Sequence, residues 1–162
     1  MSVQQAVRLD KLEGIKTGNG LISFQAATDF QNGCVFHAED LVSGQRELFA
    51  PTQPVTGTIA LKSIYINISP EVVYLAGQTI LDYYTPNGTA GRGIKAKKGD
   101  IITLTDICIT GGTVVGQWVM PTNAASLLSI SASLPTTMFI GKIIEKGTIY
   151  GQAATVIEVL SN

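Results

Sequence analysis

The chain has 162 residues, the size of one ordinary domain, and its 45% content of apolar residues excludes a disordered chain. Charged residues make up 14%, against roughly 25% in a typical soluble domain, so partner subunits or a Thr/Ser/Asn-rich exterior should cover part of the surface. The net charge of −1 argues against bulk nucleic-acid binding. Because no apolar stretch is long enough for a bilayer and residues 1–20 lack a signal-peptide core, we expect no membrane partner and folding in a cytoplasm.

Residues 1–18 differ from the rest of the chain and are predicted to form a weakly structured N-terminal arm. Their apolar residues, chiefly Val7, Leu9 and Leu12, form too thin a stripe to bury a helix well, and Gly14 interrupts the pattern. We therefore expect an arm, with at most a short helix, that orders against a neighbouring molecule.

Residues 19–162 are predicted to form a single β domain. Short stretches rich in Ile, Val, Thr, Tyr and Phe alternate with turn residues, which is typical of strands. The predicted strands are 21–26, 33–38, 47–50, 57–67, 71–75, 78–84, 101–109, 113–119, 138–144 and 154–160. Turns are predicted at the glycine-containing pairs 19–20, 32–33, 87–88, 111–112 and 146–147, because Gly and Asn tolerate positive φ.

Two stretches leave local alternatives open. In 101–109 the apolar face changes sides, which a β-bulge near Asp106 would explain. Residues 121–135 are rich in Ser, Ala and Leu, and are compatible with one short helix or with an excursion loop. The whole pattern favours a mainly β fold, an antiparallel barrel or sandwich of short strands with a weakly structured N-terminal arm.

The chain is poor in catalytic and metal-ligating residues. His37 is its sole histidine, and we expect it to be a half-exposed strand residue. The adjacent acids Glu39 and Asp40 are interpreted as a solvated turn, although together with His37 they are the residues a small hydrolase would have to use. A zinc site would require more His or Cys residues nearby. We therefore predict no enzymatic activity, no metal and no cofactor.

Three isolated residues are interpreted as structural. Cys34 and Cys108 belong to no close pair and are predicted to be small buried side chains, since a disulfide is disfavoured in a reducing compartment. The single tryptophan, Trp118, is predicted to anchor the core or a strand edge, with carbohydrate stacking as the alternative.

The densest group of basic residues lies in the glycine-rich stretch 88–99, which lacks the spacing of a phosphate-binding loop. This stretch contains Arg92, Lys95, Lys97 and Lys98. We interpret it as a flexible cationic loop suited to docking on an acidic neighbour, with an ordinary solvated loop as the alternative. Arg8 and Lys11 of the arm complete the set of candidate docking residues.

Three segments together resemble the capsid decoration proteins, also called cement or auxiliary head proteins, of tailed bacteriophages. They are residues 32–36 followed by 41–51, residues 91–94 followed by 98–105, and residues 139–145 followed by 156–159. The resemblance spans most of residues 20–160 and consists of short sequence motifs typical of turns and strands. It implies a β-rich, non-enzymatic virion protein, made in the host bacterial cytoplasm, that binds the major capsid protein lattice as a homo-oligomer, with a trimer favoured, and stabilises it. The alternative is a phage tail, fibre or receptor-binding structural domain.

Overall fold

The computed structural model describes residues 7–11, 20–68 and 79–162, and at 8–11 it describes the backbone alone. Its architecture is mainly β, as predicted, and consists of a closed barrel and a larger open sheet. The described helical segments are short: α1 (Thr56–Ile59) and two 3-10 turns, η1 (Ile80–Asp82) and η2 (Asp106–Cys108).

The barrel closes five strands in the order β2-β5-β4-β6-β8. The parallel pairing of β2 with β5 is accompanied by four antiparallel pairings around the ring. Closure leaves the ring without an open edge. The strands are β2 (Leu21–Gln25), β4 (Val35–Leu41), β5 (Leu48–Thr52), β6 (Tyr65–Ile68) and β8 (Ala90–Ile94). A small separate pair joins β3 (Phe30–Gln31) to β7 (Tyr84–Thr85).

The open sheet has seven strands in the order β1-β9-β14-β13-β11-β12-β10. Its centre is the long hairpin of β13 and β14, whose turn places Tyr150 at φ 47° and Gly151 at φ 79°. Two consecutive positive φ values are typical of the tight turns that match strand twist. The strands are β1 (Val7–Lys11), β9 (Ile101–Thr105), β10 (Ile109–Thr110), β11 (Trp118–Pro121), β12 (Leu128–Ser131), β13 (Ile140–Ile149) and β14 (Gln152–Ser161).

Barrel and sheet share one hydrophobic core. The largest buried cluster combines barrel residues such as Ile66 and Ile94 with sheet residues such as Leu104, Ile143 and Ile157. A second cluster fills the barrel with aromatic rings, including Phe24 and Phe36, whose centroids are 4.7 Å apart. The apolar side chains on the two sides of the barrel–sheet junction are thus buried against each other, and this burial holds the two sheets together.

Most turn predictions are confirmed, because they depend on local backbone conformation. Gly33, Gly88 and Gly111 have φ values of 81°, 73° and 102°, the left-handed region that glycine adopts without strain. The predicted turn at 146–147 is wrong, because both residues lie inside β13 and the chain reverses four residues later at Tyr150 and Gly151.

The predicted strand 57–67 is wrong in its first half. The segment begins as helix α1 and becomes extended only at β6. Thr58 accounts for the difference: its Oγ1 accepts a hydrogen bond from the Val55 backbone N at 3.2 Å and lies 3.0 Å from the Val55 carbonyl oxygen. Threonine bonds of this kind compete with strand ladders and stabilise a helical turn.

Four other predicted elements differ from the structure. In the predicted strand 113–119 only Trp118 and Val119 belong to a strand, β11, because the chain turns at 115–116. The predicted strand 101–109 contains no bulge at Asp106; instead β9 ends at Thr105 and η2 follows. Residues 121–135 contain strand β12, which pairs with β11 and β10, and no helix. In the described part of 78–84, the 3-10 turn η1 precedes the short strand β7. The predicted strand 71–75 and the turn residue Asn19 lie outside the described residues.

The described part of the predicted arm is a strand. Residues 7–11 form β1 and pair antiparallel with β9, with Val7 opposite Leu104 and Arg8 opposite Thr103. Val7 is buried at 4% exposure in the shared core. The short helix considered as an alternative for this stretch is therefore wrong for 7–11. Pairing with β9 satisfies the backbone hydrogen bonds of β1, so the strand forms despite the few apolar residues.

Candidate functional site

Arg92 lies on the outer wall of the barrel. It is exposed in β8, between β2 and β6. Its neighbours Gly91 and Gly93 face inward, and a Cβ added at Gly91 would lie 2.5 Å from Phe24 Cζ. One added at Gly93 would lie 2.6 Å from Phe36 Cζ. The prediction of a flexible loop is therefore wrong for 90–94, because these glycines allow a barrel strand to pack closely against two aromatic rings.

The connection from the barrel to the sheet, residues 95–100, is also ordered by hydrogen bonds. The half-buried Lys95 donates its backbone N–H to the Gly20 carbonyl at 2.7 Å. The Lys97 backbone N–H donates to Asp100 Oδ2 at 2.7 Å, and the Asp100 N–H returns a bond to the Lys97 carbonyl at 3.0 Å. Lys98 is exposed within this turn. The hydrogen bonds between residues 97 and 100 therefore hold the backbone of Lys98 in an ordered loop.

Strand β1 brings a remote part of the sequence to the same end of the sheet. Lys11 lies opposite Ile101, the first residue of β9, and Lys98 precedes Ile101 by three positions. Arg8 lies further along, opposite Thr103. The backbone thus places two of the predicted docking segments beside each other, although they are separated by more than eighty residues in sequence.

His37 is buried, with 1% of its surface exposed, so the expected half-exposed position is wrong. Its Nδ1 lies 3.0 Å from the Ser63 carbonyl oxygen, which can only accept, so Nδ1 carries a proton. Its Nε2 lies 3.1 Å from Thr58 Oγ1 in α1. The imidazole therefore joins β4 to α1 and to the turn before β6, and both ring nitrogens have structural partners.

The acidic residues next to His37 are arranged at the surface. Glu39 forms an ion pair with Lys62, 2.6 Å between carboxylate oxygen and Nζ, and Asp40 is exposed. Within residues 7–11, 20–68 and 79–162, no three His, Cys, Asp or Glu side chains form a group that could hold a metal ion. The three residues that a hydrolase would need are thus not assembled around a shared cleft.

A polar cluster that the sequence analysis missed lies around Asp106. Lys146 Nζ lies 2.7 and 2.6 Å from the two carboxylate oxygens, while the hydroxyls of Thr155 and Thr113 donate to them at 2.6 and 3.0 Å. Lys146 Nζ also donates to both threonine hydroxyls. The cluster connects η2, the following loop, β13 and β14. No sequence signal identifies it, because Asp106 and Lys146 are forty residues apart.

The pKa of Asp106 is lowered by these contacts. Partial burial raises the pKa of this carboxyl, but the hydrogen bonds from Lys146, Thr155 and Thr113, together with the Lys146 charge, outweigh burial and hold it below its ordinary value. The aspartate is therefore ionised at neutral pH and paired with a cation. This arrangement stabilises the fold, and its ionised carboxylate is a poor acid for catalysis.

An open cleft lies where α1 meets strands β11 and β12. Its volume is about 290 Å³. Threonine, serine and asparagine supply the polar part of its wall, and no lining residue is ionisable. The lining residues are Thr56, Ile59, Ala60, Met120, Pro121, Asn123, Ser129, Thr136 and Thr137. His37 bonds to α1 through Thr58, so the buried imidazole supports one wall of the cleft.

The cysteines have the structural positions predicted for them, whereas the tryptophan lies neither in a core cluster nor at a sheet edge. Cys34 and Cys108 are free thiols and both are buried, as predicted. Burial and the nearby Cys108 raise the pKa of the Cys34 thiol to about 12, and a backbone hydrogen bond opposes this shift only weakly. Trp118 is half-buried on β11, and Lys142 Nζ lies 5.4 Å from its ring centroid.

Comparisons with protein-family models, with curated proteins and with solved structures find no match to this chain. Among the described residues, no helix has the length and apolar character to span a membrane.

Proposed function

We propose that this chain is a non-enzymatic structural protein of a tailed-phage virion, which binds the surface of the assembled capsid and stabilises it. The observation that carries the proposal is the placement of basic residues on rigid elements. Arg92 stands on the barrel wall, Lys98 in an ordered turn, and the backbone of Lys11 beside that turn. An ordered backbone at these positions reduces the conformational freedom lost on docking, which favours affinity for an acidic surface.

The stabilising effect follows from mass action. A protein that binds the assembled lattice and not the separate subunits shifts the assembly equilibrium toward the lattice. A homo-oligomer, with a trimer favoured, would contact several capsid subunits at once. Each protomer would use the same contact, and their linkage would raise the overall affinity. The low charge density of the chain supports subunit contacts over a free monomer surface. In this proposal the partner is the major capsid protein, and the protein resides on the capsid surface after synthesis in the host cytoplasm.

Co-sedimentation with undecorated capsids, assembled from the major capsid protein of the same phage, tests the proposal. Wild-type protein should pellet with the capsids in a saturable manner. The double variant Arg92→Glu with Lys98→Glu should bind about ten-fold more weakly, because two attractive contacts become repulsive. The matched control is Arg46→Glu, which reverses an exposed charge in the loop between β4 and β5. Absence of wild-type binding, or equal loss in the control, would overturn the proposal.

A further inference from the structure

The cleft between α1, β11 and β12 combines an apolar floor with exposed polar groups at its rim. Ile59, Met120 and Pro121 supply the floor. The hydroxyls of Thr56 and Thr136 make no hydrogen bond to any part of the chain that the structure describes. These two groups are therefore available to a ligand, each as both donor and acceptor.

Asn123 is held at the cleft by the backbone. Its side-chain oxygen accepts a hydrogen bond from the Thr56 backbone N at 2.8 Å, which leaves the amide nitrogen as a donor. The next residue, Ala124, has a φ of 53°, a left-handed conformation unusual for a residue other than glycine. The Ala124 N–H donates to the Pro54 carbonyl at 2.7 Å, so this turn is fixed against the segment leading into α1. Strained backbone retained beside a cleft is a recurring feature of binding sites.

The lining restricts the chemistry of the ligand. None of the nine lining residues is ionisable, so a phosphate or carboxylate would enter without a counter-charge. A ligand with an apolar face and hydroxyl groups at its rim matches the floor and the free groups. The volume, about 290 Å³, accommodates roughly one or two sugar rings, at the lower end of ligand pockets.

We propose that this cleft is a binding site for a neutral saccharide. Thr56, Asn123 and Thr136 form hydrogen bonds to the sugar hydroxyls, and Met120 with Ile59 packs against its C–H face. Trp118 lies two residues before Met120 on β11 and therefore on the same face of the strand, where a second sugar unit would continue along the sheet. The site uses none of the basic residues assigned to capsid docking, so it is a function in addition to docking.

Nuclear magnetic resonance titration with defined disaccharides tests this site. The probes are maltose, lactose, mannobiose and chitobiose, with glucose 6-phosphate and glucuronic acid as charged comparators. At least one neutral probe should shift the side-chain amide signal of Asn123 with a Kd in the range ~0.1–10 mM, as expected for a shallow site. Thr136→Val should weaken that binding about five-fold through loss of one hydrogen bond. The matched control Thr148→Val, on the exposed part of β13, should bind as wild type.

Three outcomes would overturn the proposal: no neutral probe shifts Asn123 at about 20 mM, the charged comparators bind as well as the neutral ones, or Thr136→Val and Thr148→Val behave alike. Co-sedimentation of the Thr136→Val variant with capsids should match wild type. That measurement separates failure of the saccharide site from failure of capsid docking, since the two use different residues.

Discussion

Substitution of Gly91 by alanine should disrupt the packing of the barrel. The new methyl carbon would lie 2.5 Å from Phe24 Cζ, about 1–1.5 Å closer than an ordinary carbon contact of about 3.5–4.0 Å. The Phe24 ring cannot easily withdraw, because it is fully buried and its centroid lies 5.5 Å from Phe30 and 4.7 Å from Phe36. Overpacking of this kind costs about 1–3 kcal/mol, which corresponds to a fall in Tm of roughly 2–12 °C for a chain of this size.

Thermal unfolding followed by circular dichroism measures the effect, with Gly147→Ala as the matched control. Gly147 also lies in a strand, but a Cβ there meets no atom within 4 Å, so the control should stay within about 0.5 kcal/mol of wild type. Replacing Phe24 by leucine in the Gly91→Ala background removes the colliding ring atoms and should recover part of the loss, a coupling that a double-mutant cycle measures. A Gly91→Ala protein as stable as the control would refute the close packing of β8 and restore the flexible loop expected from the sequence.

Three further predictions follow from the buried and paired polar groups. Asp106→Asn should lower the free energy of unfolding by about 1 kcal/mol at pH 7. Because the pKa of Asp106 is lowered in the folded state, its contribution is present above the unfolded pKa and is lost as the pH falls through the folded pKa. Urea unfolding should therefore show that the free energy of unfolding falls more between pH 7 and pH 3 in wild type than in Asp106→Asn. Equal falls in the two proteins would refute the stabilising role of the Asp106 cluster. His37→Leu should cost about 1–3 kcal/mol in the same assay, since the Ser63 carbonyl loses its donor, and an unchanged midpoint would contradict the buried network. Because burial raises the pKa of the Cys34 thiol to about 12, Ellman's reagent at pH 8 should label the protein only as it unfolds, and rapid labelling of folded protein would contradict that burial.

The sequence predicted those parts of the fold that depend on neighbouring residues. Asn32-Gly33 and Asn87-Gly88 form turns because positive φ is a property of the glycine itself. Strands β2, β9 and β14 were recognised because alternating or β-branched residues fit a pleated surface. The mainly β fold class followed from the repetition of these local signals.

Features that depend on contacts between remote segments were not predictable from the sequence. His37 has the local context of an exposed strand residue and is buried because α1 and the Ser63 turn cover it. Asp106 begins η2 and pairs with Lys146, forty residues away, so no spacing rule detects the pair. The cleft is likewise built from α1, the turn at Asn123 and two strands, and its lining residues form no recognisable motif in the sequence.

The basic stretch shows both the value and the limit of the sequence interpretation. Arg92 and Lys98 are exposed, as a docking role requires. The flexibility of the segment around Arg92 was wrongly inferred from its glycine content, because Gly91 and Gly93 serve close packing inside the barrel. Whether a glycine provides mobility or close approach depends on what faces it, and in β8 it faces the Phe24 and Phe36 rings.

The most direct test of the central claim compares binding to assembled capsids with binding to unassembled capsid subunits. Purified wild-type protein is added at saturation to each, complex formation is measured by sedimentation, and the temperature of capsid disassembly is recorded. The account predicts binding to the assembled lattice, none to separate subunits, and a higher disassembly temperature in proportion to occupancy. Failure to bind the lattice, or binding that leaves the disassembly temperature unchanged, would contradict a capsid-stabilising role.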